Sequence, residues 1–365
     1  MPTDNAQRRA TLDSRIKQFH DVSFEQVLSE IAYLRDAGDS VIAGGSLAYG
    51  LGNHLSDLDL VVGGPTTVDS TGIPLEHFIG SLRVDVWKLA QGLIEKTFGR
   101  AEEALMGDAP LLGSFGDVDH EDELKLMHRI VFGIVVDGPG LEFSRDQRYQ
   151  AVASSLVVRE YGERMRTSAL VAQLALQAER PLAAVISSRL AVEEALNATV
   201  IDRGLPFTGD KWLSERLASD ATDLAAVYEP FRQLPDEPVG EAPTFVDAAL
   251  TACSRSWRLD LSLEALLAAA SWRNTDLQLF GVGDEKLLVS AQSGALWDLT
   301  ESEAEAWGAL AGAGAEEPGA TWDLQAGGVD AMTLCLRLHE EGVLDLHWPE
   351  GVKLEDLKGA RSVQV

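Results

Sequence analysis

The segment VIAGGSLAYGLGNHLSDLDLVV, from Val41 to Val62, decides how the first third of this chain folds. Its first apolar run stops at a Gly-Gly-Ser turn, and its second run carries Asp57 and Asp59 two positions apart. Because side chains alternate along a strand, both carboxylates face the same side. Adjacent carboxylates repel each other, so this pair predicts a bound Mg²⁺.

The turn between the two runs predicts a phosphate site. Gly44 and Gly45 leave room for an anion close to the backbone, and Ser46 adds a hydroxyl group. A further strand-like segment, LRVDVWKL, carries Asp85 in an alternating pattern. Three carboxylates can hold two Mg²⁺ ions that bridge a nucleoside triphosphate and lower the pKa of an attacking hydroxyl. Asp85 is expected to act as the general base or to place the second metal ion under the acceptor.

These residues resemble the signature of the polymerase β-like nucleotidyltransferases, which is Gly-Ser, a spacer, Asp-x-Asp and a later Asp. The resemblance covers about the first third of the chain and implies a mixed-sheet catalytic domain. Many relatives carry a basic residue in the spacer, whereas this chain has GLGNH at 50–54, so the phosphate charge must be compensated elsewhere. The competing interpretation is that the carboxylates of the Asp-x-Asp pair cap a turn. The resemblance assigns metal binding and catalysis to Asp57, Asp59 and Asp85, and nucleotide binding to Gly44, Gly45, Ser46 and Ser56.

The next part of the chain predicts a helical domain. Apolar residues recur at intervals of three and four from Arg145 to about Gln233. The pattern AVEEALNA followed by KWL resembles the C-terminal helical domain of kanamycin- and lincosamide-type nucleotidyltransferases. In that resemblance Glu193 or Glu194 competes with Asp85 as the catalytic base, and Lys211 binds the β- or γ-phosphate. The alternative for Glu193 is an ion pair with Arg189 four residues earlier.

The last quarter of the chain predicts a hairpin, a capped helix and a second helix. Leu287 to Leu299 reads as two strands around a Ser-Gly turn, and Thr300 precedes a helix as its cap. The order resembles the PqqD-like winged-helix domain, which binds leader peptides of ribosomal natural products by strand addition. The resemblance implies a precursor-peptide partner. The alternative is a domain that only packs on the enzyme.

Composition excludes several classes of protein. The 365 residues carry 30 Lys and Arg against 58 Asp and Glu, a formal net charge of −28. Long nucleic acids are therefore not expected as substrates, because backbone binding depends on basic clusters. The two cysteines, Cys253 and Cys335, lie in apolar contexts and are expected to be buried thiols. No signal peptide or membrane span is expected, which predicts a cytoplasmic protein.

The sequence thus predicts an α+β protein with a nucleotidyltransferase domain at 1–118, a helical domain at 119–245, and a helical linker and winged helix at 246–365. The expected reaction moves NMP from an NTP to a hydroxyl, with Mg²⁺ as cofactor and a precursor peptide as acceptor. Two alternatives stay open: a small-molecule nucleotidyltransferase of antibiotic type, and a non-catalytic antitoxin-like or scaffolding protein. The resemblance to antibiotic-modifying enzymes also implies a homodimer.

Overall fold

A computed structural model describes this chain at residues 5–65, 67, 73–106, 120–206, 209–274, 277–282, 285–290, 296–310, 321–322, 328–341 and 344–348. The chain divides into two compact units, which are Met1–Glu160 with Asn197–Ala225 and Tyr161–Leu196 with Ala226–Val365. Helices and separate sheets are both present, so the predicted α+β class is confirmed. The domain boundary predicted at residue 118 lies outside the described residues.

The first unit contains a five-stranded mixed sheet. Its strands are β1 (Ser40–Gly44), β2 (Leu58–Gly64), β3 (Leu75–Ile79), β4 (Leu82–Ala90) and β5 (Ile134–Asp137), in the order β3-β4-β2-β1-β5. The pair β2 and β4 is parallel, and the other neighbours are antiparallel. Every residue of β1 and β2 is buried, which explains why both strands read as continuous apolar runs.

Helices cover this sheet. They are α1 (Asn5–His20), α2 (Phe24–Glu30), α3 (Gly45–Ala48), α4 (Gln91–Met106) and α5 (His120–Phe132). Leu12 and Ile16 of α1 share a core with Leu60 of β2 and Val84 of β4. Because side chains alternate along a strand, Asp59 and Asp85 point to the other face of the sheet. The sequence pattern from Leu89 to Leu105 predicts a helix, and α4 begins two residues later than Leu89, since β4 continues to Ala90.

Six more helices follow along the chain, and the segment predicted to be a helical bundle is helical. The apolar periodicity of the segment predicts that Ile186 is buried, but it is 41% exposed. The prolines between Pro235 and Pro243 predict a linker, but the segment is helical from Pro238 onward, because proline fits the first helical position, whose N–H needs no helical acceptor. The predicted boundary at residue 245 therefore lies inside α10. The six helices are α6 (Gln147–Gln177), α7 (Pro181–Asp202), α8 (Leu213–Asp220), α9 (Thr222–Tyr228), α10 (Pro238–Trp257) and α11 (Leu263–Ala269).

The C-terminal part of the second unit contains two three-stranded sheets. The elements are β6 (Ser271–Asn274), β7 (Leu277–Val282), β8 (Glu285–Ser290), β9 (Leu296–Leu299), α12 (Glu301–Leu310), β10 (Thr321–Trp322), α13 (Gly328–Glu340) and β11 (Leu344–His347). One sheet has the order β7-β8-β9 and the other β10-β6-β11. The predicted hairpin is the antiparallel pair of β8 and β9, although its turn at 293–294 lies outside the described residues.

The cap predicted at Thr300 is present. The N–H of Glu303 donates to Thr300 Oγ1 at 3.2 Å, and the N–H of Thr300 donates to Glu303 Oε2 at 2.8 Å. These two bonds form a capping box, which supplies acceptors for N–H groups that have no partner within the helix. The strand β7 and the pairing of β11 with β6 were not predicted. The winged-helix assignment stays a prediction.

Both cysteines are buried, as expected. Cys253 is 1% exposed and Cys335 is fully buried. Burial, with a smaller contribution from Glu194, raises the pKa of Cys253 to about 12, and burial raises the pKa of Cys335. Such thiols stay protonated and unreactive at neutral pH. Among the described helices, none is long and apolar enough to cross a membrane.

His128 makes the stability of the protein sensitive to pH. It lies buried on α5 and stacks on Phe132 with ring centroids 5.0 Å apart. Burial lowers the pKa of His128 from 6.5 to about 4, opposed by a backbone hydrogen bond at Ala153 and assisted by Arg216. Between these two values the unfolded chain binds a proton that the folded protein does not. The contribution of His128 to the free energy of unfolding therefore falls as the pH drops from 6.5 to 4, by on the order of 3 kcal/mol.

This prediction is tested by urea unfolding of the wild-type protein and of His128→Gln at a series of pH values. The difference between the two curves isolates His128, because all other groups titrate in both proteins. We expect the advantage of the wild type to shrink steadily with acidification across this window. A difference that stays constant from pH 7 to pH 4 contradicts the prediction.

Candidate functional site

The structure brings the three predicted carboxylates together. The parallel register of β2 and β4 places Asp59 directly opposite Asp85, and Asp57 lies just before β2. One oxygen atom from each carboxylate lies within 4.8 Å of the others. Asp59 is 5% exposed, Asp85 is 6% exposed and Asp57 is half-buried. The site therefore holds up to three negative charges within a small, largely dry volume.

The carboxyl of Asp59 has a raised pKa. Burial raises the pKa of Asp59 to about 6. The ion pair with Arg129 opposes the rise, and the neighbouring charges of Asp57 and Asp85 add to it. Carboxylates held this closely without full compensation are the arrangement that a divalent cation stabilises.

Two arginines that the sequence analysis did not assign to the site neutralise part of this charge. Arg129 Nη2 lies 2.7 Å from Asp59 Oδ1. Arg83 donates two hydrogen bonds to the Asp85 carboxylate, from Nε at 2.9 Å and from Nη2 at 3.0 Å. The same Nη2 donates to Glu76 Oε1 of β3 at 2.8 Å. Glu76 of β3 pairs with Asp85 of the neighbouring strand β4, so four carboxylates and two arginines meet here.

The position of Arg129 depends on the end of α5 and on Gly44. Arg8 of α1 donates to the carbonyl oxygen of Phe132 at 2.7 Å and to that of Gly133 at 3.5 Å, which satisfies carbonyls at the helix end. A Cβ atom on Gly44 would lie 2.6 Å from Arg129 Cγ. The glycine at this position therefore makes space for the arginine that pairs with Asp59.

Gly45 is required for a different reason. Its φ is +73°, a conformation that side chains other than glycine rarely adopt. A Cβ atom there would lie 1.9 Å from Asp59 Oδ2. The close approach that Gly45 permits is that of the Asp59 carboxylate. Phosphate binding by Gly44 and Gly45 stays a prediction.

Of the two serines of the signature, Ser46 lies in α3 and Ser56 lies in the connection between α3 and β2. Ser46 is 6% exposed, and its carbonyl oxygen accepts bonds from the N–H groups of residues 51 and 52. Ser56 Oγ accepts a bond from the N–H of Asn53 at 3.0 Å. Ser56 therefore stabilises the loop that delivers Asp57. The roles of both serines in nucleotide binding stay predictions.

Lys211 belongs to the same unit as the carboxylates. Its side chain is exposed, and Nζ lies 5.7 Å from the centre of the Trp212 ring. Its charge contributes to lowering the pKa of Asp59, though least among the groups that influence this carboxyl. An exposed, mobile ammonium of this kind suits a phosphate contact.

Glu193 lies in the other unit, in a polar cluster of its own. Its Oε1 accepts bonds from Arg189 Nε at 2.9 Å and from Tyr228 Oη at 2.6 Å. The ion pair with Arg189, which was the alternative interpretation, is present. A role for Glu193 or Glu194 as a catalytic base stays a prediction.

The chemistry of the donor set fits Mg²⁺. Mg²⁺ binds oxygen ligands and is held in proteins by one or two carboxylates together with substrate phosphates. The oxygens of Asp57, Asp59 and Asp85 are close enough to share one or two such ions. The four carboxylates and two arginines that meet here leave net negative charge, which also favours a cation.

Comparison with known proteins adds little to this picture. No family model matches the chain, and no curated protein matches it. One similar solved structure is a nucleotidyltransferase-like protein from Exiguobacterium sibiricum 255-15, with 11% identity and a TM-score of 0.33. The match covers 64% of this chain and 73% of that chain. A likeness of this size carries no functional argument, so the function must be argued from the site.

Proposed function

We propose that this protein is a Mg²⁺-dependent nucleotidyltransferase that moves NMP from a nucleoside triphosphate to a hydroxyl acceptor and releases pyrophosphate. The observation that carries the proposal is the cluster of Asp57, Asp59 and Asp85 on two adjacent parallel strands beside the Gly-Gly-Ser turn. Partly uncompensated carboxylates at this spacing suit a site that receives a cation and a polyphosphate together.

Each residue has a role in this reaction. Asp57 and Asp59 would hold the cation that carries the triphosphate, and Asp85 would hold a cation under the acceptor hydroxyl or act as its general base. When bound, Mg²⁺ neutralises phosphate charge and lowers the pKa of the attacking hydroxyl. The hydroxyl oxygen forms a bond to the α-phosphorus, the bond to pyrophosphate breaks, and the proton passes to Asp85. Ser46, Ser56 and Lys211 contact the phosphates.

For the acceptor we propose a hydroxyl of a ribosomal precursor peptide. Support comes from the order of elements near the C-terminus, where a three-stranded antiparallel sheet is followed by a capped helix and by α13. A leader peptide would add to an edge of that sheet as a further strand, as the resemblance to PqqD-like domains implies. A small hydroxyl compound is the competing acceptor and uses the same catalytic residues.

The test is pyrophosphate release by the full chain with Mg²⁺ and each of the four nucleoside triphosphates. Three acceptor conditions are compared: none, the short peptide encoded nearest to the gene, and a panel of small hydroxyl compounds. Release that requires the peptide, with NMP found on it by mass spectrometry, is the expected result. Release with small compounds alone supports an antibiotic-type enzyme. No release under any condition contradicts nucleotidyl transfer and favours the antitoxin-like or scaffolding alternative.

A further inference from the structure

Arg83 occupies a ligand position that the proposed cation needs. Its guanidinium binds both oxygens of Asp85, at 2.9 and 3.0 Å, and leaves no carboxylate oxygen of that residue without a bond. The Asp85 side chain is only 9% exposed, so solvent has little access to it. Each carboxylate oxygen can accept more than one bond, but a divalent cation on Asp85 would lie beside the Arg83 guanidinium, and the repulsion between the two cations favours release of at least one Arg83 bond.

The strand next to Asp85 offers Arg83 another partner. Glu76 of β3 lies opposite Asp85 in the sheet and already accepts a bond from Arg83 Nη2 at 2.8 Å. The side chains of Arg83 and Glu76 are 44% and 52% exposed, so both have room to move. Arg83 can release Asp85 and keep its ion pair by remaining on Glu76.

The other arginine of the site has no such freedom. The Arg129 side chain is 17% exposed and packs where Gly44 lacks a side chain. Arg129 is therefore a fixed counter-ion, whereas Arg83 is an exchangeable one. It also points to the exposed edge of the sheet as the side on which the site rearranges.

We propose that Arg83 is a positioning residue that exchanges between Asp85 and Glu76 and thereby sets the affinity of the site for divalent cations. In the metal-free protein it neutralises Asp85. With the cation bound it stays on Glu76 and leaves Asp85 to the cation. The inference rests on the proposed function, since it requires a cation at the three carboxylates.

The test measures Mn²⁺ binding by the full chain. MnCl₂ alone is titrated into the protein, and electron paramagnetic resonance reports the concentration of free Mn²⁺. Arg83→Met removes the competitor, and we expect Mn²⁺ to bind about tenfold more tightly. Glu76→Gln removes the alternative partner, and we expect Mn²⁺ to bind about tenfold more weakly. Thermal unfolding of each variant checks that it folds.

The double variant separates exchange from simple charge attraction. If Glu76 acts through Arg83, then Glu76→Gln changes the affinity little once Arg83 is methionine. Arg203 and Asp223 supply a matched control, because they form a two-bond ion pair in the same unit with exposures of 42% and 50%. Arg203→Met and Asp223→Asn change net charge in the same way and are expected to leave Mn²⁺ affinity unchanged.

The outcomes distinguish this inference from the proposed function. If the wild type does not bind Mn²⁺, or if Asp57→Asn does not abolish the binding, the proposed function and the inference fail together. If that binding exists but Arg83→Met fails to tighten it, the inference alone is wrong. It is also wrong if Glu76→Gln weakens binding equally with and without Arg83.

Discussion

Replacing Asp57 with asparagine is expected to lower nucleotidyl transfer at least about 1,000-fold, which corresponds to roughly 4 kcal/mol of transition-state stabilisation. The substitution removes one of three carboxylates that would hold the cation while keeping the size of the side chain. Asp57 suits this test better than Asp59, because Asp59 is paired with half-buried Arg129 and its loss would leave that charge without its partner.

The stability of the same variant provides a second readout with the opposite sign. Asp57 raises the pKa of Asp59 through repulsion, so removing its charge relieves the metal-free protein. We expect the free energy of unfolding without metal to stay the same or to rise by up to about 1 kcal/mol. Mg²⁺, which is expected to stabilise the wild type, should no longer stabilise the variant.

The measurements are pyrophosphate release and urea unfolding with and without Mg²⁺. Glu30→Gln is the control, since Glu30 is an exposed carboxylate on α2, and we expect it to behave as the wild type. Full turnover by Asp57→Asn would show that the metal assignment is wrong. If Asp57→Asn loses activity because it unfolds, then repulsion by Asp57 does not destabilise the metal-free protein.

The second large effect is expected for Gly45→Ala. The substitution forces a methyl group to within 1.9 Å of Asp59 Oδ2 at a residue whose φ is +73°. The conformation alone costs about 1–2 kcal/mol for an L-residue. Displacing a buried, paired carboxylate adds to this, so we expect a total loss of roughly 3 kcal/mol or more in the free energy of unfolding.

Gly38→Ala is the matched control, because Gly38 also has a positive φ of +91° but a Cβ atom there would meet nothing within 4 Å. It should show the conformational cost alone and keep Mn²⁺ binding. Urea unfolding and Mn²⁺ titration of both variants make the comparison. Equal losses at the two glycines, with Mn²⁺ binding kept in both, would refute the contact between Gly45 and Asp59.

The elements that carry the carboxylates could be predicted because their signals are local. The apolar run before Gly44 and the run that holds Asp59 are buried on both faces. Such strands can be recognised in a sequence because they are almost continuously apolar. Asp85 followed from alternation within its own segment. Thr300 was predictable in the same way, since a capping box is complete within four residues.

The counter-ions could not all be predicted. Arg83 lies two residues before Asp85, so alternation alone places both on one face and a signal was present. Arg129 meets Asp59 only because α5 packs on the sheet, and no local pattern connects the two. The steric role of Gly44 depends on that same packing, and that of Gly45 on the pairing of β1 with β2.

Predictions from local sequence patterns also failed where tertiary structure determined the conformation. The prolines at 238 and 243 indicated a linker, but the first begins α10 and the second is accommodated within it. The strand β7 and the pairing of β11 with β6 join segments that are distant in sequence. Such partners are set by tertiary structure rather than by the strand's own residues.

The most direct test of the central claim is calorimetric titration of the full chain with non-hydrolysable analogues of the four nucleoside triphosphates, with Mg²⁺ and with EDTA. The account predicts saturable binding of at least one analogue that requires Mg²⁺ and that Asp57→Asn abolishes. Binding that is unchanged by EDTA or by Asp57→Asn, or no binding of any analogue, would contradict a metal-dependent nucleotide site at these carboxylates.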